Sequence, residues 1–598
     1  MSQTFDRDTK FRLAQGLEQA GEYDRASEIY QELLRTDPTN TIIFEALERT
    51  LMQLKKYDEV IRLLQSRLAG SPTDFNLLVR LGSVLYRAGR NDEATAEWER
   101  ALAQDPHNPN SYRILASVLM ENRLIEQSID AYRRGRVEIG DPGLFSLELA
   151  QLYAASMDYT GAAVEYVRWL RANPTQLAFV QNRMAFITGK EQGRAAAITV
   201  VQQQLNNHQE LPLLQLLGWL EMEGKDFEAA LHTYHTIDEF TSAHGNELLQ
   251  FADRAYSEKA YAIAAHAYQD AIEAPIPAAR MAYARYGYAT ALKELRIDED
   301  TIASPVRETP AAEAQPLYRG PIALYEKITQ DFPHSEFSAK AYYQMGLLQF
   351  EKLSDRQGAI TSFRHVLEEV QSVPALRYDA ELKIGQIYLA LGDSIQAGQY
   401  FQSVVSGLNA LPDQHDEAAF HLAEIAYFGG RFDEALNLLA PLSMNVKADY
   451  ANDALRLQAF VTENKNSAPE GLKDFSHAEF LSRQKKNTEA IAAFQGLLER
   501  YPMASFADDA LLSVASLEAS AGLFDEAIGS YEKLLGQFKE TGIALDRAQF
   551  QLAEVYQYGV HDAAHAIATY EKLLAEYPRS VLASQARKRV RQLRGETP

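Results

Sequence analysis

Cysteine is absent from all 598 residues. Its absence excludes disulfides, thiol nucleophiles and cysteine-ligated metal sites together, while leaving the redox compartment open. Basic charge is scarce: 59 Lys and Arg stand against 82 Asp and Glu, a net charge of −23. A nucleic-acid binder needs a positive stripe that displaces counterions from phosphates, so nucleic acid is not an expected partner. The same balance disfavours electrostatic docking on an anionic membrane. No apolar run nears the roughly 20 residues that cross a bilayer, so no direct membrane insertion is expected. The start, MSQTFDRDTKFRLAQ, lacks a basic segment followed by an apolar one; no signal peptide is legible. Localisation is therefore conditional. The periplasm or cell envelope follows if Met1 stands in for a removed leader, the cytoplasm if Met1 is the native start.

Signatures of catalysis are missing as well. Among the 13 histidines, the pairs that share a helical face are His232/His235 and His561/His565. The second has the spacing of a zinc helix but lacks the neighbouring glutamate and a third ligand. Gly189-Lys190 is followed by Glu191 rather than Ser or Thr, with no glycine-rich lead, so no phosphate loop is present. Neither a Gly-x-Ser-x-Gly elbow nor a dinucleotide fingerprint occurs. The expectation is no catalytic residue, no cofactor and no metal: not an enzyme.

What the chain does have is a repeat. From Asn76 to Pro106 the sequence reads NLLVRLGSVLYRAGRNDEATAEWERALAQDP. Leu78, Leu81, Gly82, Leu85, Ala94, Trp98, Ala101 and Pro106 fall at the spacing of one helix-turn-helix unit of about 34 residues. Gly82 and Ala94 belong where two helices approach most closely, Trp98 fills the gap above them, and Pro106 stops the second helix. At multiples of about 34 residues from Ala94 stand Ala26, Val60, Ser128, Ala162, Ala196, Ala230 and Ala264, all small or β-branched. Four positions later the bulky series is Tyr30, Leu64, Trp98, Tyr132, Tyr166, Val200, Tyr234 and Tyr268. The terminating position reads Pro38, Pro72, Pro106, Gly140 and Pro174, then decays to His208, Ser242 and Ile276. This grammar resembles the tetratricopeptide repeat (TPR) signature. The resemblance implies an all-α fold, a right-handed α-solenoid of antiparallel helix pairs, here in two arrays.

The first array, residues 8–278, holds eight such units. Turns such as Gly21-Glu22-Tyr23-Asp24, Gly89-Arg90-Asn91-Asp92 and Gly224-Lys225-Asp226-Phe227 are expected to place glycine in the left-handed conformation, with Asp or Asn capping the next helix. A second array spans 279–464. Its residues 297–316, IDEDTIASPVRETPAAEAQP, are acidic and carry prolines at 305, 310 and 316; they read as a mobile insertion between two helices of one repeat. Later second helices begin at Ala359, Ala397 and Ala435, 38 residues apart. NKNSAPEG, Asn464 to Gly471, marks an irregular stretch before the last repeats, 465–598, which end in a basic capping helix. Three junctions, Phe332-Pro333-His334-Ser335, Tyr501-Pro502-Met503-Ala504-Ser505 and Tyr577-Pro578-Arg579-Ser580, resemble the longer repeats of bacterial envelope proteins such as the outer-membrane assembly lipoprotein BamD and the Tol–Pal coordinator. That likeness covers about 321–593 and lacks a lipid-attachment cysteine.

With the repeats occupying nearly the whole chain, recognition is the function left. In a TPR stack the first helices line the concave surface. The positions facing it are Arg49, Asn76, Ser83, Tyr86, Asn110, Arg113, Ser117, Gln151, Gln181, Gln215, Trp219, Asp253 and Tyr256. Amides, hydroxyls and a few aromatics suit an extended peptide or a partner helix. The carboxylate clamp of TPR cochaperones corresponds here to Phe11, Gln15, Ala46, Asn76 and Arg80, where only the arginine matches. The expected function is a non-enzymatic scaffold with one or more protein partners. An envelope assembly or transport factor is the alternative, and a cytoplasmic chaperone-type adaptor a remoter one.

Overall fold

The computed structural model describes residues 2–303, 311–369, 374–445, 449–539 and 544–595, and among them every regular element is a helix. The chain divides into two compact units, Met1–Ser242 and Ala243–Pro598. Each is a stack of helix pairs joined by turns of a few residues, which forces the members of a pair antiparallel.

In the first unit seven pairs follow in order, from Ser2–Gln19 with Tyr23–Thr36 to Leu211–Glu223 with Phe227–Thr241. The size complementarity written into Gly82, Ala94 and Trp98 is what packs a pair. A methyl group added at Gly82 would lie 2.3 Å from Trp98 Nε1, and Ala94 has no exposed surface. The indole N–H donates to the Val79 carbonyl at 3.2 Å, so its one polar atom is satisfied as the ring is buried. The same lock recurs in the second unit, where a Cβ on Gly385 would meet Phe401 at 2.6 Å. Replacing Ala94 with phenylalanine is therefore expected to overpack the pair and cost about 1–3 kcal/mol or more. Urea denaturation of the variant that overlays the parent would refute this register.

Turn chemistry departs from expectation in detail. Gly89 is left-handed, at φ +80°, but in the Gly224 turn the left-handed residue is Lys225, at φ +58°, while Gly224 stays right-handed at φ −78°. Asp226 caps as expected, accepting the Ala229 N–H at 3.1 Å. Asp24 and Asn91 do not cap, because both lie inside the first turn of their helices, whose N-cap residues are Glu22 and Arg90. An acidic side chain within the first turn still opposes the helix dipole favourably.

The second unit opens with Asn246–Ser257 and Tyr261–Glu273 and then a long pair, Ala278–Ala303 and Ala311–Asp331. Residues 297–303 and 311–316, expected as part of an insertion, are helical and prolong both members; residues 304–310, with Pro305 and Pro310, lie outside the described residues. The prolongation packs because Asp300, 7% exposed, accepts the Tyr318 hydroxyl at 2.9 Å and Lys352 Nζ at 3.0 Å. Pro316 and Pro321 sit inside the second helix, each removing one backbone donor.

Asn464 to Gly471 is likewise more ordered than expected. Helices Ala451–Ser467 and Pro469–Arg483 are separated by Ala468 alone. The junction serines act as pins: Ser335 caps Glu336–Glu351 through the Ser338 N–H at 3.0 Å, Ser505 donates to Asn464 Oδ1 at 2.5 Å, and Ser580 donates to Asp546 Oδ2 at 2.6 Å. Aromatic-proline junctions therefore end one helix and position the next.

Candidate functional site

The first helices of the first five pairs, from Ser2–Gln19 to Ser146–Ala155, carry a ladder of side-chain contacts from each repeat to the next. Arg49, on Thr41–Gln53, forks onto Glu18, on Ser2–Gln19, with Nε–Oε1 at 2.6 Å and Nη2–Oε2 at 3.1 Å. Those hydrogen bonds outweigh burial and hold the Glu18 carboxyl below its ordinary value. Arg80, on Phe75–Arg87, donates from Nε to Glu48 Oε1 at 3.2 Å and from Nη2 to Oε2. Here burial dominates, so the Glu48 carboxyl is raised despite the arginine. Asn122 donates to Ser83 Oγ at 2.9 Å and accepts from Arg87 Nε at 3.0 Å. Arg113 reaches Glu148 Oε1 at 3.0 Å, with its guanidinium 5.2 Å from the Phe145 ring centre.

Several of the face positions expected from sequence thus have internal partners. Arg49, Ser83 and Arg113 belong to the ladder, and Asn110 Oδ1 is 3.4 Å from Arg113 Nη1. Tyr86 lies with its ring 6.2 Å from Trp98. Asn76, Ser117 and Gln151 are exposed, and Gln181, Gln215 and Trp219 are half-buried. In the second unit Asp253 accepts the hydroxyls of Tyr268 at 2.6 Å and Tyr283 at 2.5 Å. Tyr256 sits 5.4 Å from the Tyr261 ring, its hydroxyl pushed up to about 12 by burial and then by Glu294.

Sequence reading missed Glu18, Glu48, Asn122 and Glu148, the acceptors and donor that complete the ladder. A signal was available: the ladder's ion pairs join residues 31, 32 and 35 apart, about one repeat. Arg80, the one residue matching the cochaperone clamp, is committed to Glu48.

Chemically, such a face can do one thing well. Its backbone is closed into helices, its side chains are amides, hydroxyls and paired charges, and it runs over successive rigid pairs. That defines a helical-repeat scaffold of the protein-interaction class. Four stretches of the chain are tetratricopeptide repeats: family models described as tetratricopeptide repeat match residues 11–41, 79–143, 477–540 and 547–580. No curated protein matches the chain in sequence. Similar solved structures include Naa15/Naa10 bound to HypK-THB, at 14% identity over 99% of this chain and 97% of that one, with a TM-score of 0.24. Yeast Tom70 is similar at 14% identity over 99% and 96%, TM-score 0.24. A tetratricopeptide repeat protein from Parabacteroides merdae ATCC 43184 is similar at 13% identity over 39% and 92%, TM-score 0.22. At such values the family matches and the chain's own packing define the fold.

Proposed function

We propose that this protein is a non-enzymatic scaffold that binds peptide or helical segments of partner proteins along the exposed face of its first helices. The observation that carries the reading is the ladder from Glu18 to Glu148, which fixes successive first helices in register and leaves Asn76, Ser117 and Gln151 turned to solvent between its rungs. A face held rigid in advance binds without the entropic cost of ordering it. Tetratricopeptide repeats support the scaffold class. The aromatic-proline junctions support the narrower form of the reading, a protein of the cell envelope that assists assembly or transport of others, which fractionation of the native protein tests.

The binding surface is tested with the full chain as bait for proteins of its own source, beside a Ser117→Glu, Gln151→Lys variant. Both sites are exposed, so the variant is expected to melt with the parent and to lose at least tenfold in affinity for the captured partner. Retention of full affinity would exclude this face. Arg113→Glu breaks an exposed pair worth under about 1 kcal/mol, so it too is expected to fold, and it reports on the same surface.

A further inference from the structure

Two helices of the second unit, Phe524–Gln537 and Ala563–Glu576, flank a cleft of about 510 Å³ whose floor is Leu545–Glu554. The same arrangement occurs one repeat earlier, where Asn487–Arg500 and Phe524–Gln537 flank a cleft of about 450 Å³ over Ala507–Ser520. The two floors register on one another. Ala510 and Ala515 match Ala548 and Ala553, each pair 38 residues apart, and all four are fully buried.

The floors differ beside those alanines. The earlier one has Leu511; at the matching place this one has Gln549, 2% exposed. The Gln549 amide donates from Nε2 to the Thr569 carbonyl at 3.3 Å, and its Oε1 has no donor among the described residues. A buried acceptor left without a donor is costly. Packing alone does not call for a glutamine here, since leucine fills the same place in the earlier floor. A donor brought by a ligand does.

The walls differ as well. Lys539 and Lys572 line this cleft with no ion-pair or hydrogen-bond partner among the described residues, and Glu576 is the acidic side chain at their end. In the earlier cleft Lys533 stands against Glu499, Glu518 and Glu526. That one repels a carboxylate, whereas this one offers it two unpaired ammonium groups. At the opposite end Glu532 accepts the Tyr556 hydroxyl at 3.3 Å, and the Tyr556 ring stacks on His565 at 5.3 Å. Tyr556 is carried by a π-helical turn, Val555–Gly559, a rare bulge that is frequent at functional sites. Between the ends Gly536 opens the wall. It lies inside a helix, where glycine is unfavourable, and a Cβ there would meet nothing within 4 Å, so no close packing requires it. From His565 to Lys572 the cleft runs seven helical positions, about 10 Å, the span of about three extended residues.

We propose that this cleft holds an extended, acidic segment of a partner protein, with a main-chain N–H donated to Gln549 Oε1 and an Asp or Glu carboxylate accepting from Lys539 and Lys572. An extended chain supplies the donor that the floor lacks, and its length and charge suit the walls. This is a second binding surface, on the second unit, independent of the first-helix face of the first unit.

Saturation-transfer NMR of the full chain tests it with two pools of acetylated, amidated tetrapeptides, mixed in Ala, Ser and Leu except for a fixed third residue, Glu in one pool and Lys in the other. The Glu pool is expected to take up saturation and the Lys pool to take up none. By titration calorimetry the best Glu peptide is expected to lose at least tenfold in affinity with Gly536→Phe, which fills this cleft, and with Gln549→Leu, which copies the earlier floor. Gly529→Phe fills the earlier cleft from a glycine equally free of neighbours, and is expected to leave affinity unchanged, as is Ser117→Glu, Gln151→Lys. Should Gly536→Phe or Gln549→Leu melt below the parent, Lys572→Glu, at an exposed position, is expected to show the same loss. No uptake by the Glu pool, equal uptake by the Lys pool, full affinity in Gly536→Phe or Lys572→Glu, or an equal loss in Gly529→Phe would overturn the proposal.

Discussion

Trp98→Ala is expected to destabilise the first unit by about 3–5 kcal/mol, among the largest effects a single substitution in this chain can have. The indole is 6% exposed and fills the space that Gly82 leaves open. Its neighbours on the same helix cannot refill the void, because Ala94 and Ala101, both fully buried, have only methyl groups to offer. The Val79 carbonyl loses a donor as well. Each pair of a helical-repeat stack is stabilised mainly by its neighbours, so damage should begin locally. Hydrogen exchange is expected to accelerate first in 75–102, ahead of any change in the second unit. Uniform acceleration over the whole chain would mean that the stack unfolds as one cooperative body.

Removing Arg136 should be nearly as severe. Its guanidinium holds Glu165 with two parallel contacts, Nη1–Oε1 at 2.8 Å and Nη2–Oε2 at 2.7 Å, and donates from Nε to the Leu144 carbonyl at 3.0 Å. The two side chains are 13% and 7% exposed. Arg136→Ala leaves a buried carboxylate with one cation, Arg168, and is expected to cost about 3 kcal/mol, the lower end of the range for breaking a buried pair. pH gives the diagnostic. In the parent, burial raises the Glu165 carboxyl, but hydrogen bonds from Arg136 and Arg168 outweigh it and the net shift is downward. Its contribution is thus present above the ordinary 4.5 and lost as pH falls. Without Arg136 burial prevails and the shift reverses, so the deficit should be widest near neutrality and narrow in mild acid. A deficit independent of pH would assign the cost to lost packing. Replacing both partners by apolar residues of similar size is expected to be close to neutral.

The parts of the fold legible in sequence are those decided within one helix pair. Gly82, Ala94 and Trp98 meet because a turn of fixed length brings them together, so their spacing alone carries the information. Even there the pattern was coarser than the backbone: left-handed geometry fell to Lys225 rather than Gly224, since the turn needs one such residue and tolerates more than one location for it. Composition misled at 297–303 and 311–316. Acidic, proline-bearing sequence reads as a loop, yet Tyr318 and Lys352 give Asp300 partners from other helices and draw the flanking residues into helices. Of the candidate site, exposure at Asn76, Ser117 and Gln151 was readable from the face they share. The commitment of Arg49, Arg80 and Arg113 to their neighbours was not.

Sequence by itself determined the helical class, the repeat and its register, because each rests on side-chain volumes recurring at a short, regular separation. The tertiary structure decided which side chains of the first-helix face are bonded internally, how the long pair at 278–331 closes, and where Pro469–Arg483 folds back onto Pro412–Phe428. Each of these depends on how one rigid pair seats on another. That seating is set by surfaces that are joined only after both pairs have formed, between residues such as Tyr427 and Glu479 that are 52 positions apart, and no periodicity within a repeat records it.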